Sequence, residues 1–159
     1  MRLAKTSNLL FSKGTAADLP AINRIVSSAV MSWPMAERVK RLSVPVLCYD
    51  ATDLTQFDVF VCERLGHPIG VALFDLRHDQ GAALLHGLYV LPIIQNQGVG
   101  NALMTAVFDA VRQQGIGGAW VRSERVSTQF FAQAQLERVS PRGPDDYPNL
   151  FFKAIAQAP

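Results

Sequence analysis

Apolar positions along the chain change period several times, and each change marks a new element. LLFSKG supplies a first short strand, residues 9–13. From Leu19 onward the apolar residues Leu19, Ile22 and Ile25 or Val26 recur at helical spacing, which predicts a helix beginning after Thr15. Thr15 is placed to cap its first turn, and Asp18 sits at the end that favours negative charge. MAERVKRL predicts a shorter second helix before the breaker region SVPVLCYD, and residues 46–56 read as a loop with one short ordered piece. FDVFVCERL then alternates with period two over residues 57–65, and HPIGVALFDLR continues across a turn at Gly66-His67, a hairpin signature. After a turn at HDQG, AALLHGLYV forms the next strand. The helical period returns with Val99, Leu103, Val107 and Val111, and Met104 and Phe108 widen the stripe enough to cover a sheet, which predicts a helix over 98–114. QQGIGG ends it, AWVRSE begins another strand, Ser127 to Gln135 forms a short helix carrying Phe130 and Phe131, and LFFKAIA closes the chain after the loop SPRGPDDYPN.

This order predicts a mixed α/β (α+β) single domain over residues 9–157, with antiparallel strands in its middle and one strand-helix-strand crossover. The crossover makes the strand ending near Val90 and the strand beginning near Ala119 parallel neighbours.

Composition narrows the function. With 15 basic and 13 acidic side chains the formal charge is +2, and without a Lys/Arg cluster this argues against a nucleic-acid partner. No run approaches the about 18 consecutive apolar residues of a membrane span, and the polar opening MRLAKTSN carries no hydrophobic targeting region, so a cytoplasmic location and no membrane partner are expected. Cys48 and Cys62 lack metal-ligand spacing, which predicts reduced, buried thiols and no metal site.

The segment between strand and helix raises a question. Gly98 and Gly100 stand at the helix start, preceded by the uncharged amides Gln95, Asn96 and Gln97. A glycine inside a helix costs roughly 1 kcal/mol relative to alanine. In the first turn that cost falls, and free backbone N–H groups with no Cβ in the way offer a site for an anion, a phosphate-bearing ligand above all. A tight turn with small residues for helix-sheet packing is the simpler reading. A P-loop is unsupported because no Gly-Lys-Ser/Thr follows, and a dinucleotide fold is unsupported because Leu103 occupies the third glycine position.

Gln95-Asn96-Gln97-Gly98-Val99-Gly100 matches the acyl-CoA motif Gln/Arg-x-x-Gly-x-Gly/Ala, LYVLP precedes it, and STQFFAQAQLERV resembles an A..FY...GF segment. In these motifs and in element order the chain resembles the GCN5-related N-acetyltransferase (GNAT) family. The resemblance implies an acyl-CoA N-acyltransferase fold with a mostly antiparallel central sheet flanked by helices. It implies acetyl-CoA as cofactor and acetyl transfer to a primary amine by direct attack. Backbone groups from Gln97 to Gly100, with Gln95, Asn96 and Asn101 alongside, would hold the diphosphate. Main-chain groups of Leu88 and Val90 would pair with the pantetheine arm beside Tyr89, and Phe131 would pack against the cofactor.

Acetyl transfer needs a neutral amine, a route for its proton and donors for the developing oxyanion. His86 shares side-chain parity with Leu84, Leu88 and Val90 and is the first candidate base, since a free imidazole titrates at about 6.5. The alternative is an ordinary strand histidine bonded across the sheet. Glu63 and Asp75 on the hairpin, and Glu124 after the fifth strand, are further candidates, each weighed against a plain structural or solvated charge. The family's FY tyrosine, which protonates the leaving thiolate, is Phe131 here, and Tyr147 is the nearest substitute in sequence. This departure motivates an alternative: a catalytically weak or inactive acyl-CoA-binding sensor on the same fold. Trp33, Met31 and Met35 are placed to line an apolar acceptor pocket or simply to pack a lid. A small-molecule amine or a peptide N-terminus is the expected acceptor, and a homodimer is compatible with the chain.

Overall fold

The computed structural model describes residues 8–79 and 81–157. The expected polar lead-in therefore falls almost wholly outside the described residues, as does Gln80 of the HDQG turn. Among the described residues seven strands form one sheet in the order β1-β2-β3-β4-β5-β7-β6. They are β1 (Leu9–Lys13), β2 (Asp58–Arg64), β3 (His67–Asp79), β4 (Ala82–Val90), β5 (Gly118–Arg122), β6 (Glu137–Val139) and β7 (Leu150–Ala154). Every pairing is antiparallel except β4 with β5, the crossover pair expected from the sequence.

Helices cover both faces. On one side lies α1 (Leu19–Met31), which buries Ile22, Ile25, Val26, Ala29 and Val30 against Val59, Val61, Val71 and Leu73 of the sheet. On the other lies α4 (Val99–Gln113), whose Val99, Leu103, Met104, Val107, Phe108 and Val111 pack onto Ala72, Phe74, Leu85, Ala119 and Val121. The helical stripe and the alternating strands thus bury complementary faces, and this burial is the main favourable term for the fold. A short 3-10 turn, Ala16–Asp18, leads into α1, and Asp18 Oδ2 accepts the Thr15 N–H at 2.7 Å.

Three local expectations need correction. The second helix, α2 (Glu37–Leu47), runs five residues past Leu42, with Pro45 inside its last turn. Near a C-terminus the missing N–H removes one bond only, and Cys48 N still donates to Val44 O at 3.0 Å. The short ordered piece in the following loop is α3 (Asp53–Gln56), held by reciprocal bonds between Asp50 and Asp53 of 2.8 and 3.0 Å. The β2–β3 turn is Leu65-Gly66, one residue earlier than expected, with both residues at positive φ (52° and 79°). The strand β6 was not expected at all. Three residues with a single neighbouring strand leave no alternation to detect. The last helix, α5 (Thr128–Gln133), follows a 3-10 turn at Arg125–Ser127.

Candidate active site

Strands β4 and β5 are paired only from Ala83↔Ala119 to Leu85↔Val121. Beyond that point β4 continues to Val90 while β5 ends at Arg122, so the strands part and, among the described residues, one edge of β4 has no strand partner. A cleft of about 100 Å³ opens there, lined by residues 85–90 of β4, by Val121 to Glu124, and by Trp33, Gln95 and Phe131.

The register explains why β4 parts here. Its partners on β3 jump from Gly87↔Leu73 to Leu85↔Phe74, which leaves His86 as the extra residue of a β-bulge. The bulge overturns the expected parity. Leu85, Leu88 and Val90 pack with the α4 core, whereas His86 and Tyr89 turn to the α1 side.

There His86 stacks on Phe57, with ring centroids 4.3 Å apart, and its Nδ1 lies 3.0 Å from the Tyr49 hydroxyl. Burial, reinforced by Arg122, holds the imidazole below its ordinary pKa, so it is neutral at physiological pH. Burial drives the Tyr49 and Tyr89 phenols far above their ordinary range, which keeps both protonated. Asn23 of α1 fixes Tyr49 from behind, its side-chain amide bonding the Tyr49 N–H and C=O at 2.8 Å each. Nothing local announced this arrangement. Tyr49 lies in a segment read as breaker and loop, and only the fold brings it under β4.

Glu124 stands at the mouth of the cleft, half-buried, and burial raises its carboxyl above the ordinary carboxylate value. It also lines a second, larger cavity of about 430 Å³ between α2 and the turn after β5, and Trp33 is likewise common to both. Tyr147 lies close by, but its hydroxyl donates to Ser123 O at 3.1 Å. Glu63 is not part of this assembly: β2 is separated from β4 by β3, and Glu63 lines neither cavity. Asp75 is likewise absent from both linings, and its Oδ1 accepts the Arg77 N–H at 2.8 Å.

At the far end of the cleft the chain turns into α4. Asn96 and Gly98 adopt left-handed conformations (φ 63° and 84°), Gly98 is the N-cap, and no side chain among the described residues caps the helix. Gln97 and Gly98 are partly exposed, Asn96 and Asn101 exposed, so the donors of the first turn are open to a ligand. Gln97 Oε1 accepts from Arg64 at 3.1 Å, and Gln95 Nε2 reaches the Val90 carbonyl at 3.4 Å. The two glycines have different reasons. Gly98 supplies positive φ, whereas a Cβ on Gly100 would meet the Phe130 ring at 3.3 Å. Phe131, 4% exposed, reaches the cleft while packing against Phe151 at 5.8 Å.

A model of the acetyltransferase (GNAT) family matches residues 24–135, more than two-thirds of the chain, and spans the parted strands, the glycine turn and Phe131. The chain belongs to the GNAT acetyltransferase family. Solved structures with the same fold include the PaiA N-acetyltransferase of Thermoplasma acidophilum in complex with coenzyme A (TM-score 0.78, 12% identity, 92% of this chain and 98% of that one). A GCN5-related N-acetyltransferase from Rhodopseudomonas palustris aligns with TM-score 0.77 at 15% identity, covering 93% and 96%. A GNAT acetyltransferase from Brucella melitensis in complex with acetyl-CoA gives 0.65 at 16% identity, covering 95% and 91%. Comparison with curated proteins gives no match. Among the described residues of this GNAT protein no cluster of His, Cys, Asp and Glu has the makings of a metal site, and no helix is long and apolar enough to cross a membrane.

Proposed function

We propose that this GNAT protein transfers the acetyl group of acetyl-CoA to a primary amine by direct attack, with Glu124 as the general base. The observation that carries the reading is the placement of Glu124 between the two cavities, one bounded by the open edge of β4 and the other by α2.

The residues present fit coenzyme A. The uncapped, accessible onset of α4 offers N–H groups and the positive helix end to a diphosphate. The unpaired edge of β4 from His86 to Val90 offers main-chain groups to an extended amide-containing arm, as an added strand would. Binding of this kind depends on backbone geometry, which is how uncharged Gln95, Asn96 and Gln97 suffice without arginines. A β4 N–H stabilises the oxyanion as the amine nitrogen attacks the thioester carbon. Glu124 removes the proton from the attacking nitrogen as the C–N bond forms; the C–S bond then breaks and the sulfur leaves as thiolate. Phe131 has no hydroxyl to protonate it and Tyr147 is committed to Ser123, so water supplies that proton. His86, locked between Tyr49 and Phe57, shapes the bulge and the cleft floor more naturally than it shuttles protons. A catalytically silent acyl-CoA-binding protein is the second reading, favoured by Phe131 alone.

Calorimetric titration with acetyl-CoA, then thiol release with an amine panel, tests the proposal. Glu124→Gln should lower kcat by about 10²–10⁴-fold with little change in acetyl-CoA affinity. The raised carboxyl pKa places the acid limb of the wild-type rate profile above the ordinary carboxylate range, with activity rising as Glu124 ionises. An unchanged profile in the variant removes Glu124 from the role. Binding without turnover of any amine supports the silent protein.

A further inference from the structure

The amphipathic pattern of α2 is inverted in part. Its one buried residue is Lys40, 8% exposed, whose Nζ bonds the Met31 carbonyl at 3.0 Å and Glu37 at 2.6 Å. Val39, Leu42, Ser43 and Val46, at helical positions i, i+3, i+4 and i+7, form a second stripe that no element among the described residues covers, and all four line the 430 Å³ cavity. Leu42 is 65% and Val46 79% exposed. Met35 and Val126 face the same cavity, and Trp33 forms the end it shares with the cleft. Its volume falls within the ~300–1,000 Å³ of small-molecule sites.

The charges around this groove are few. Glu124 stands at its junction with the cleft and Arg125 at its wall, and among the described residues every other one in the lining is uncharged. A cationic amine head is therefore attracted to one end only. A second ammonium further along would find no carboxylate and would face Arg125, while a carboxylate beside the amine would be repelled by Glu124.

We propose that the acceptor is a monoamine with an aryl or branched-alkyl body, its nitrogen at Glu124 and its body along the Val39–Leu42–Val46 stripe. This rests on the acetyl-transfer reading above. Linear diamines and free amino acids are selected against.

The test uses the full-length protein at saturating acetyl-CoA, comparing 2-phenylethylamine and 3-methylbutylamine with putrescine and glycine. The apolar monoamines should show a kcat/KM higher by about tenfold or more. Leu42→Asp and Val46→Asp, at exposed positions where folding is not at stake, should raise KM for 2-phenylethylamine about tenfold or more, with the acetyl-CoA dissociation constant and the thermal midpoint unchanged. Leu65→Asp, at an 81% exposed position in the β2–β3 turn and in the lining of neither cavity, should behave as wild type. Calorimetric titration of 2-phenylethylamine into the coenzyme A complex reads the groove independently of turnover, and the Asp variants should lose that heat.

Preference for the diamine or for glycine, or Asp variants without effect on amine KM or binding, overturns the assignment. So does a concentration-dependent dimer that Leu42→Asp dissociates without altering amine selectivity, since the stripe would then be covered by a second copy of the chain. If acetyl-CoA binds and only polar amines are acetylated, this inference falls and the acetyltransferase reading stands. If acetyl-CoA does not bind at all, both fall.

Discussion

Substituting Gly87 by alanine puts the claim about the floor of the cleft at risk. A Cβ built on Gly87 would overlap the Tyr49 hydroxyl and lie 2.9 Å from Cε2 of Tyr89. The hydroxyl cannot shift without loss: it bonds His86 at 3.0 Å, and the Tyr49 backbone is pinned by two 2.8 Å bonds to Asn23. Overpacking of this kind costs about 1–3 kcal/mol. Displacing the hydroxyl leaves buried partners unsatisfied at a further ~1–3 kcal/mol, and relief of glycine's chain entropy returns about 0.5–1 kcal/mol. The net expectation for Gly87→Ala is a loss of about 1–5 kcal/mol. Tyr49→Phe removes the same hydroxyl and should cost about 1–3 kcal/mol by itself. In the double variant the methyl occupies space the hydroxyl has vacated, so the two losses should fall short of their sum by about 1–3 kcal/mol. Urea unfolding followed by the fluorescence of Trp33 and Trp120 measures all four proteins at one pH. A Gly87→Ala protein within about 0.5 kcal/mol of wild type, or strict additivity, would refute the packing of Tyr49 beneath the bulge.

Two further outcomes follow from the same geometry. Gly98→Ala must place a side chain at φ 84°, so stability should drop by about 1–2 kcal/mol and acetyl-CoA affinity should fall with it; unchanged affinity would remove the α4 onset from the diphosphate site. Cys62 is fully buried and its thiol is pushed up to about 11, whereas Cys48 is partly accessible, so a thiol reagent at neutral pH should modify Cys48 first and Cys62 only on unfolding. Equal native-state rates for the two would contradict the burial of β2.

Legibility in the sequence tracked the range of the interactions involved. β4 spans Ala82–Val90 as its apolar run predicts, and α4 lies within a residue of its predicted ends, because burial against a sheet imposes a period that one segment displays by itself. Pro45 misled because the breaker rule presumes a helix interior, whereas this proline sits in a last turn that Cys48 N still closes onto Val44 O. His86 misled for a related reason. Side-chain parity presumes an unbroken ladder, and the bulge exists only in the pairing with β3.

What the chain settled unaided was its element order apart from β6, the antiparallel centre, the parallel crossover and the glycine turn at the head of a helix. All of these depend on residues near one another along the backbone. The tertiary structure decided which acid stands at the cleft. Glu63 and Glu124 looked alike as letters, yet one lies two strands away and the other lies between two cavities. It likewise brought Tyr49 beneath His86 and left the Val39–Leu42–Val46 stripe open. Those outcomes depend on where remote segments meet, and side-chain periodicity carries no record of a partner's position.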